Sequence, residues 1–124
     1  IRVSHLRVVA GTEGQSAELT LDVDGQAKSA EASGDGPVDA VFNAIHKIVP
    51  HSAALRLFQV HAVTEGTDAQ AQVSVRLEED GRIATGAAAD TDTLTASAKA
   101  YVNALNNLFA RKEKSAPAAI ASGF

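Results

Sequence analysis

Ala10-Gly11-Thr12-Glu13-Gly14-Gln15-Ser16-Ala17 recurs at offset 52 as Ala62-Val63-Thr64-Glu65-Gly66-Thr67-Asp68-Ala69, and both copies have the pattern A-x-T-E-G-x-x-A. Further along, Asp24-Gly25 recurs at offset 56 as Asp80-Gly81, and two helix patterns then align at offset 60. Small insertions at turns produce such a growing offset. The sequence therefore predicts a duplicated structural unit.

Alternation of apolar and polar residues predicts the strands of the first unit, from His5 to Ala10 and from Ala17 to Val23. Asp24-Gly25 predicts a tight hairpin, and a weaker third strand follows from Gln26 to Ala32. Gly34-Asp35-Gly36-Pro37 then opens a helix, since proline suits the first helical position. Its apolar stripe is Val38, Val41, Phe42, Ile45, Ile48 and Val49.

The second unit repeats this order, with strands predicted from Ala54 to Thr64, Ala69 to Leu77 and Arg82 to Ala87. The stripe of its helix is Leu94, Ala98, Tyr101, Val102, Leu105, Leu108 and Phe109. We therefore expect an α+β fold of two βββα units related by pseudo-twofold symmetry, with antiparallel sheets packed with two helices.

The predicted domain covers residues 1–112, with repeat units at 1–50 and 51–112. Residues 113–124 are rich in Ala, Ser and Lys, which predicts a flexible C-terminal tail. The chain begins in strand-like sequence without a methionine, as a piece of a longer polypeptide would.

Composition excludes several functions. The 124 residues contain no cysteine, so disulfides and thiolate chemistry are absent. The net charge is −4 and no basic cluster is interleaved with aromatic residues, so nucleic acid is not an expected partner. No stretch approaches the ~20 apolar residues of a membrane helix, and the first residues do not resemble a signal peptide. We expect a cytoplasmic protein without a membrane partner.

The two helix starts, residues 34–40 and 90–94, are the first candidate sites. Backbone N–H groups after glycines can bind a small anion such as a carboxylate, but a tight strand-to-helix turn is the favoured explanation of these residues from the local sequence alone. Asp90-Thr91-Asp92 could bind a divalent cation, but a helix cap needs the same side chains and is favoured.

Catalytic residues are not expected. The spacing does not support a catalytic carboxylate pair of Glu13 and Glu65. Nor does it support a catalytic triad of Ser97, His61 and Asp92. His5, His46, His51 and His61 lack metal-ligand spacing, so no metal site is expected and surface or partly packed positions are favoured.

Three motifs in order resemble the C-terminal regulatory domain of 2-isopropylmalate synthase. They are G-D-G-P-V-D-A-x-x-x-A-I at Gly34 to Ile45, A-V-T-E-G-T-D-A-Q-A-Q-V at Ala62 to Val73, and D-T-D-T-L-T-A-S-A-K-A-Y-V-N-A-L-N at Asp90 to Asn106. The likeness covers about residues 3 to 111. It implies an allosteric domain that binds L-leucine and dimerises.

In such a protein, leucine inhibits a separate catalytic barrel of the same polypeptide that joins acetyl-CoA to 3-methyl-2-oxobutanoate. The barrel and its divalent metal lie outside this chain, so the resemblance implies a domain without cofactor or catalytic activity. A citramalate synthase carries a similar domain that responds to isoleucine, which is the first alternative. A purely structural dimerisation module and a small stand-alone enzyme are the others.

The effector pocket of the family, carried over by motif position, falls on residues from several predicted elements. They are Gly34, Asp35, Gly36, Pro37, Val38 and Asp39 at the first helix start, Leu55, Phe58 and Ala62 on the fourth strand, Asp68 and Ala69 after the turn, and Asp92 and Thr93 at the second helix start. The family often has a tyrosine at the position of Phe58, and its missing hydroxyl is a departure that bears on effector choice.

Overall fold

The computed structural model describes residues 1–12, 14–63 and 70–122, without the side chains of residues 62, 63 and 111–122. Its elements are β1 (Arg2–Gly11), β2 (Gly14–Val23), β3 (Gln26–Gly34), α1 (Pro37–Ile48), β4 (Ala54–Val63), β5 (Gln70–Glu79), β6 (Arg82–Asp90) and α2 (Thr93–Ser122). The order βββα followed by βββα confirms the predicted fold class.

The six strands form two separate antiparallel sheets, with the orders β1-β2-β3 and β4-β5-β6. The β2–β3 hairpin turns at Asp24 and Gly25, with φ values of 53° and 83°, and the β5–β6 hairpin turns at Asp80 and Gly81, with φ values of 52° and 77°. Positive φ at both central residues matches the twist of a two-residue hairpin, and Asp-Gly favours it. The predicted turns are therefore confirmed in both units.

Each helix packs on the second and third strands of its own unit, α1 on β2 and β3, and α2 on β5 and β6. Each also reaches the first strand of the other unit, since α2 contacts β1 and Phe42 of α1 contacts Phe58 of β4. This exchange of contacts is what a pseudo-twofold arrangement requires. The largest fully buried side chains of the resulting core include Leu19, Leu21, Ile45, Leu77, Leu105 and Leu108.

The third strands are poor in large side chains because the helices lie close to them. A Cβ at Gly86 of β6 would overlap the backbone of Ala100 and Ala104 in α2. Ala32 and Ala84 are buried on the same strands, at 4% and 0% exposure. The alanines that weaken the strand pattern in the sequence thus allow the close approach of helix and sheet.

The two helices differ at both ends. Their starts, Pro37 and Thr93, lie at offset 56, although their apolar stripes align at 60, so α2 has one more turn ahead of the aligned stripe. The backbone of α2 is helical as far as Ser122, which differs from the flexible tail expected over residues 113–124. Alanine has the highest helix propensity, and this segment is rich in it. Its flexibility stays a prediction.

Candidate functional site

A groove of about 390 Å³ lies between α1 and β4, where the two units meet. Asp39 and Leu55, both assigned to the effector pocket from the sequence, line it. Its other lining residues are Phe42, Asn43, His46, His51, Ser52, Ala53 and Tyr101. The volume lies within the roughly 300–1,000 Å³ of small-molecule sites.

Three aromatic rings form one wall beside the groove. The ring centroids of Phe42 and Phe58 are 5.6 Å apart with an interplanar angle of 89°, and those of Phe42 and Tyr101 are 4.5 Å apart. Phe42 and Phe58 are half-buried, while Tyr101 is only 5% exposed. The sequence-predicted residue Phe58 therefore belongs to this apolar wall.

One end of the groove is polar. The hydroxyl of Tyr101 lies 3.1 Å from His51 Nε2, and the backbone N–H of Ala53 donates to His51 Nδ1 at 3.2 Å. A neutral ring whose Nδ1 accepts carries its hydrogen on Nε2, so His51 donates to Tyr101. Burial raises the pKa of Tyr101 to about 12. The phenol is therefore protonated at neutral pH and acts through hydrogen bonds.

The start of α1 is open to a ligand. Its N-cap is Gly36, no side chain caps the helix, and Ala40 N–H donates to the Gly36 carbonyl at 3.0 Å. Pro37 has no N–H, which leaves those of Val38 and Asp39 without an intrahelical acceptor. Unsatisfied N–H groups and the helix dipole together favour a carboxylate here.

The start of α2 has its own carboxylates instead. Asp92 accepts bonds from Leu94 N–H at 3.1 Å and from the Thr95 hydroxyl at 2.7 Å. Asp90 accepts a hydrogen bond from the backbone N–H of Asp92 at 3.0 Å and forms an ion pair with Lys99 at 3.1 Å. These bonds, the one from Asp92 first, lower the pKa of the Asp90 carboxyl below its ordinary 3.8. The second helix start is therefore capped, as the sequence favoured.

The two glycines at the first helix start have different surroundings. A Cβ at Gly34 would overlap the backbone nitrogen of Ala40 and lie 2.7 Å from the Asp39 backbone. A Cβ at Gly36 would meet nothing within 4 Å, and its φ of −144° is extended backbone that any residue adopts. Gly34 is thus required by packing, whereas Gly36 borders open space.

Strand register places the adjoining ends of the first two strands of each unit beside a helix start. Gln15 pairs with Ala10 on one side and with Gly34 on the other, at the end of the first sheet. Ala71 likewise pairs with Ala62 and with Asp90. These strand ends and the helix start of the same unit therefore share one end of each sheet.

The structure brings part of the predicted site together. Asp39 and Leu55 line the groove, and Phe58 packs against the lining residue Phe42. Residues 34–36 precede α1, and Pro37 and Val38 are its first residues. Asp92 and Thr93 lie at the separate start of α2 and are not among the lining residues. Ala62 is placed by its backbone alone, and Asp68 and Ala69 lie outside the described residues.

Seven of the nine lining residues are absent from the site predicted from the sequence, namely Phe42, Asn43, His46, His51, Ser52, Ala53 and Tyr101. Phe42 and Tyr101 were assigned to the helix stripes, and the histidines to surface or partly packed positions. One signal was available, since Tyr101 is the only tyrosine in the chain and its hydroxyl needs a partner inside an apolar stripe.

The first strands of the two units are covered unequally. Leu55 and Val60 of β4 are 43% and 45% exposed. Their counterparts at offset 52 on β1, Val3 and Val8, are half-buried and pack against the core. An apolar face on β4 is therefore open where its counterpart is covered.

Within residues 1–12, 14–63 and 70–122, no group of three or more His, Cys, Asp or Glu residues could hold a metal ion. In that same part of the chain, no helix is long and apolar enough to cross a membrane.

The fold and the groove define a small α+β domain made of a duplicated βββα unit, with a groove that has an aromatic wall and a polar end where the units meet. Residues 1–109 match the family model described as the LeuA allosteric (dimerisation) domain. The chain belongs to this family, which confirms the resemblance drawn from the three motifs.

Similar proteins are bacterial 2-isopropylmalate synthases. The chain is 93% identical to that of Caulobacter vibrioides (strain NA1000 / CB15N) and 88% identical to that of Caulobacter sp. (strain K31), in each case over the whole chain and 24% of the relative. It is 62% identical to that of Bradyrhizobium diazoefficiens over 92% of the chain and 22% of the relative. The chain thus spans about a quarter of these relatives, at their C-terminal part.

Proposed function

We propose that this chain is the part of a cytoplasmic 2-isopropylmalate synthase that binds leucine, dimerises and transmits feedback inhibition. The proposal rests on one observation above all, the uncapped start of α1 next to an apolar groove that joins the two units. Family membership and the synthase relatives support it.

The groove offers a partner to each part of a leucine molecule. The carboxylate would accept bonds from the N–H groups of Val38 and Asp39 at the helix start. The ammonium group would pair with the exposed carboxylate of Asp39. Leu55 and Phe58 would then enclose the isobutyl group.

These contacts suit a moderate affinity. Burial of one aliphatic side chain contributes about 1.5–3 kcal/mol, and the charged ends add hydrogen bonds in a partly enclosed site. We expect binding in the micromolar range, which corresponds to about −8 kcal/mol.

Leucine bound here would contact both units, because α1 belongs to the first and β4 to the second. Binding would then favour one arrangement of the units over another, with a coupling to the catalytic part of typically 1–3 kcal/mol. The catalytic barrel is the proposed partner in the same polypeptide. The 124-residue chain itself is proposed to bind leucine without catalysing a reaction.

Dimerisation is supported by the family description and by the exposed side chains of Leu55 and Val60 on β4. Large apolar side chains on one strand face are stabilised when a partner removes them from water. We propose that a second copy of the chain covers this face.

Calorimetric titration of the chain with leucine, isoleucine and valine tests the proposal. Leucine should bind most tightly. Tighter isoleucine binding would instead support the sensor of a citramalate synthase, and one methyl position changes affinity by only ~1–3 kcal/mol. If a folded, dimeric chain binds none of the three at millimolar concentration, the sensor is rejected. The chain would then be a structural dimerisation module, and none of the three amino acids would shift its melting temperature.

A further inference from the structure

A second groove, of about 350 Å³, lies beside the C-terminal end of α1 and the middle of α2. Val49 after α1 and Asn106 and Phe109 of α2 line one side of it, and Val23 and Asp24 at the β2–β3 hairpin line the other. Ile1 is also part of the lining, so the first residue of the chain lies at the edge of this groove.

The side chain of Asn106 holds the backbone of Ile1 at two points. Its Nδ2 donates to the Ile1 carbonyl at 2.8 Å, and its Oδ1 accepts from the Ile1 nitrogen at 3.0 Å. In a longer polypeptide this nitrogen is an amide N–H, which can donate the same bond. Asn106 therefore fixes the direction in which a preceding segment leaves β1.

The duplicated fold shows what precedes a first strand. In the second unit, residues 49–53 lead from α1 into β4. Ser52 donates from its backbone N–H and its hydroxyl to Glu79 Oε2, at 3.3 and 3.0 Å. The segment before β4 thus lies against the end of β5.

Strand register gives the corresponding place in the first unit. Arg2 pairs with Asp22 as Ala54 pairs with Glu78, so Ile1 corresponds to Ala53 and Val23 corresponds to Glu79. The residue before Ile1 is then the counterpart of Ser52 and belongs next to Val23. That place is the second groove.

We propose that the residues directly preceding Ile1 in the longer polypeptide lie in the groove formed by Val23, Val49, Asn106 and Phe109. This inference rests on the proposed function, in which the chain is the C-terminal part of a synthase, and the chain spans only 24% of the relative from Caulobacter vibrioides. Apolar Val23 stands where the second unit has the carboxylate of Glu79, so we expect the segment to place an apolar side chain where the second unit has Ser52.

The position of this segment couples it to the effector groove. Val49, which lines the second groove, immediately follows α1, and residues of α1 line the proposed leucine groove. Phe109, on the other side of the segment, belongs to α2. A change in the arrangement of the two helices would displace the segment that joins the domain to the rest of the polypeptide.

Hydrogen exchange of the whole synthase tests the proposal. The amides from the residues before Ile1 to Arg2 should be protected in the wild type. Asn106→Ala and Phe109→Ala should each increase their exchange about fivefold or more, because the loss of a bond or of apolar packing favours local opening. Asn107→Ala is the matched control, since Asn107 donates to the Thr85 carbonyl of β6 at 2.7 Å and should leave these amides unchanged.

Unchanged exchange of Val73 and Val75 amides in β5 shows that each variant is folded. The proposal is overturned if the amides before Ile1 are unprotected in the wild type. It is also overturned if their exchange rates are the same in all three variants. Leucine titration of the same samples separates the two proposals. A protected segment in a protein that does not bind leucine would reject the sensor and retain the groove assignment.

Discussion

Phe42 of α1 and Phe58 of β4 pack edge to face, with ring centroids 5.6 Å apart and planes at 89°. Phe42 also packs on Tyr101 of α2 at 4.5 Å. Phe42 belongs to the first unit, and the other two rings belong to the second. The side chain that joins the units therefore also lines the proposed leucine groove.

Replacing Phe42 by Ala should lower the free energy of unfolding by about 3 kcal/mol and weaken leucine binding, since it removes both the contact between units and a groove wall. Leu55→Ala is the control, because Leu55 is 43% exposed and should lose less than about 1 kcal/mol while also weakening binding. Urea unfolding and calorimetry measure the two effects. Equal stability losses would show that Phe42 does not join the units.

Gly34→Ala should destabilise the fold by about 1–3 kcal/mol, because the added Cβ meets the backbone of Asp39 and Ala40. Gly36→Ala should change stability by less than about 1 kcal/mol, since its Cβ would face open space. Thermal unfolding of the two variants gives the comparison. A Gly34→Ala variant as stable as the wild type would contradict the close packing of β3 and α1.

The duplicated fold could be predicted from the sequence because its signals are local. Asp24-Gly25 and Asp80-Gly81 fix both hairpins by their preference for positive φ, and alternation fixes the strands. The helical backbone of residues 113–122 was not predicted, since the same Ala-rich composition suits a helix and a flexible tail.

The groove was predicted only in part because it depends on contacts between the units. The apolar character of Phe42 and Tyr101 predicts burial, but no local pattern reveals that their rings meet Phe58. The sequence favours a cap at the second helix start, which Asp92 provides, but it does not reveal that Gly36 leaves the start of α1 without a side-chain cap. The family resemblance nevertheless places both helix starts in one predicted site.

Asp90 should stabilise the fold in a pH-dependent way. Its carboxyl has a lowered pKa in the folded chain, through the bonds from Asp92 and Lys99. Its stabilisation is therefore complete above the ordinary pKa of 3.8 and is lost as the pH falls through the folded value. Asp90→Asn should flatten this part of a stability–pH curve measured by urea unfolding, and Lys99→Gln should flatten it less. If the low-pH part of the curve is the same in Asp90→Asn and in the wild type, Asp90 does not contribute this pH-dependent stability.

Val60→Lys should weaken the dimer by tenfold or more, because a charge on the exposed apolar face of β4 must be desolvated when a partner covers it. Gln59→Lys is the matched control, since the neighbouring side chain points to the opposite face of the sheet. Sedimentation velocity without leucine measures both. A dimer weakened by Gln59→Lys alone would place the interface on the other face.

Gly36→Asp should abolish leucine binding and leave the fold intact. Aspartate is a preferred N-cap residue, so its side chain would bond the N–H groups that the leucine carboxylate needs and would repel that carboxylate. Gly36→Asn separates the two effects, because asparagine caps equally well without a charge and should weaken binding less. Calorimetry gives the affinities, and thermal unfolding should show both variants at least as stable as the wild type. Because Gly36 borders open space, unchanged leucine affinity in both variants would place the carboxylate site away from the start of α1.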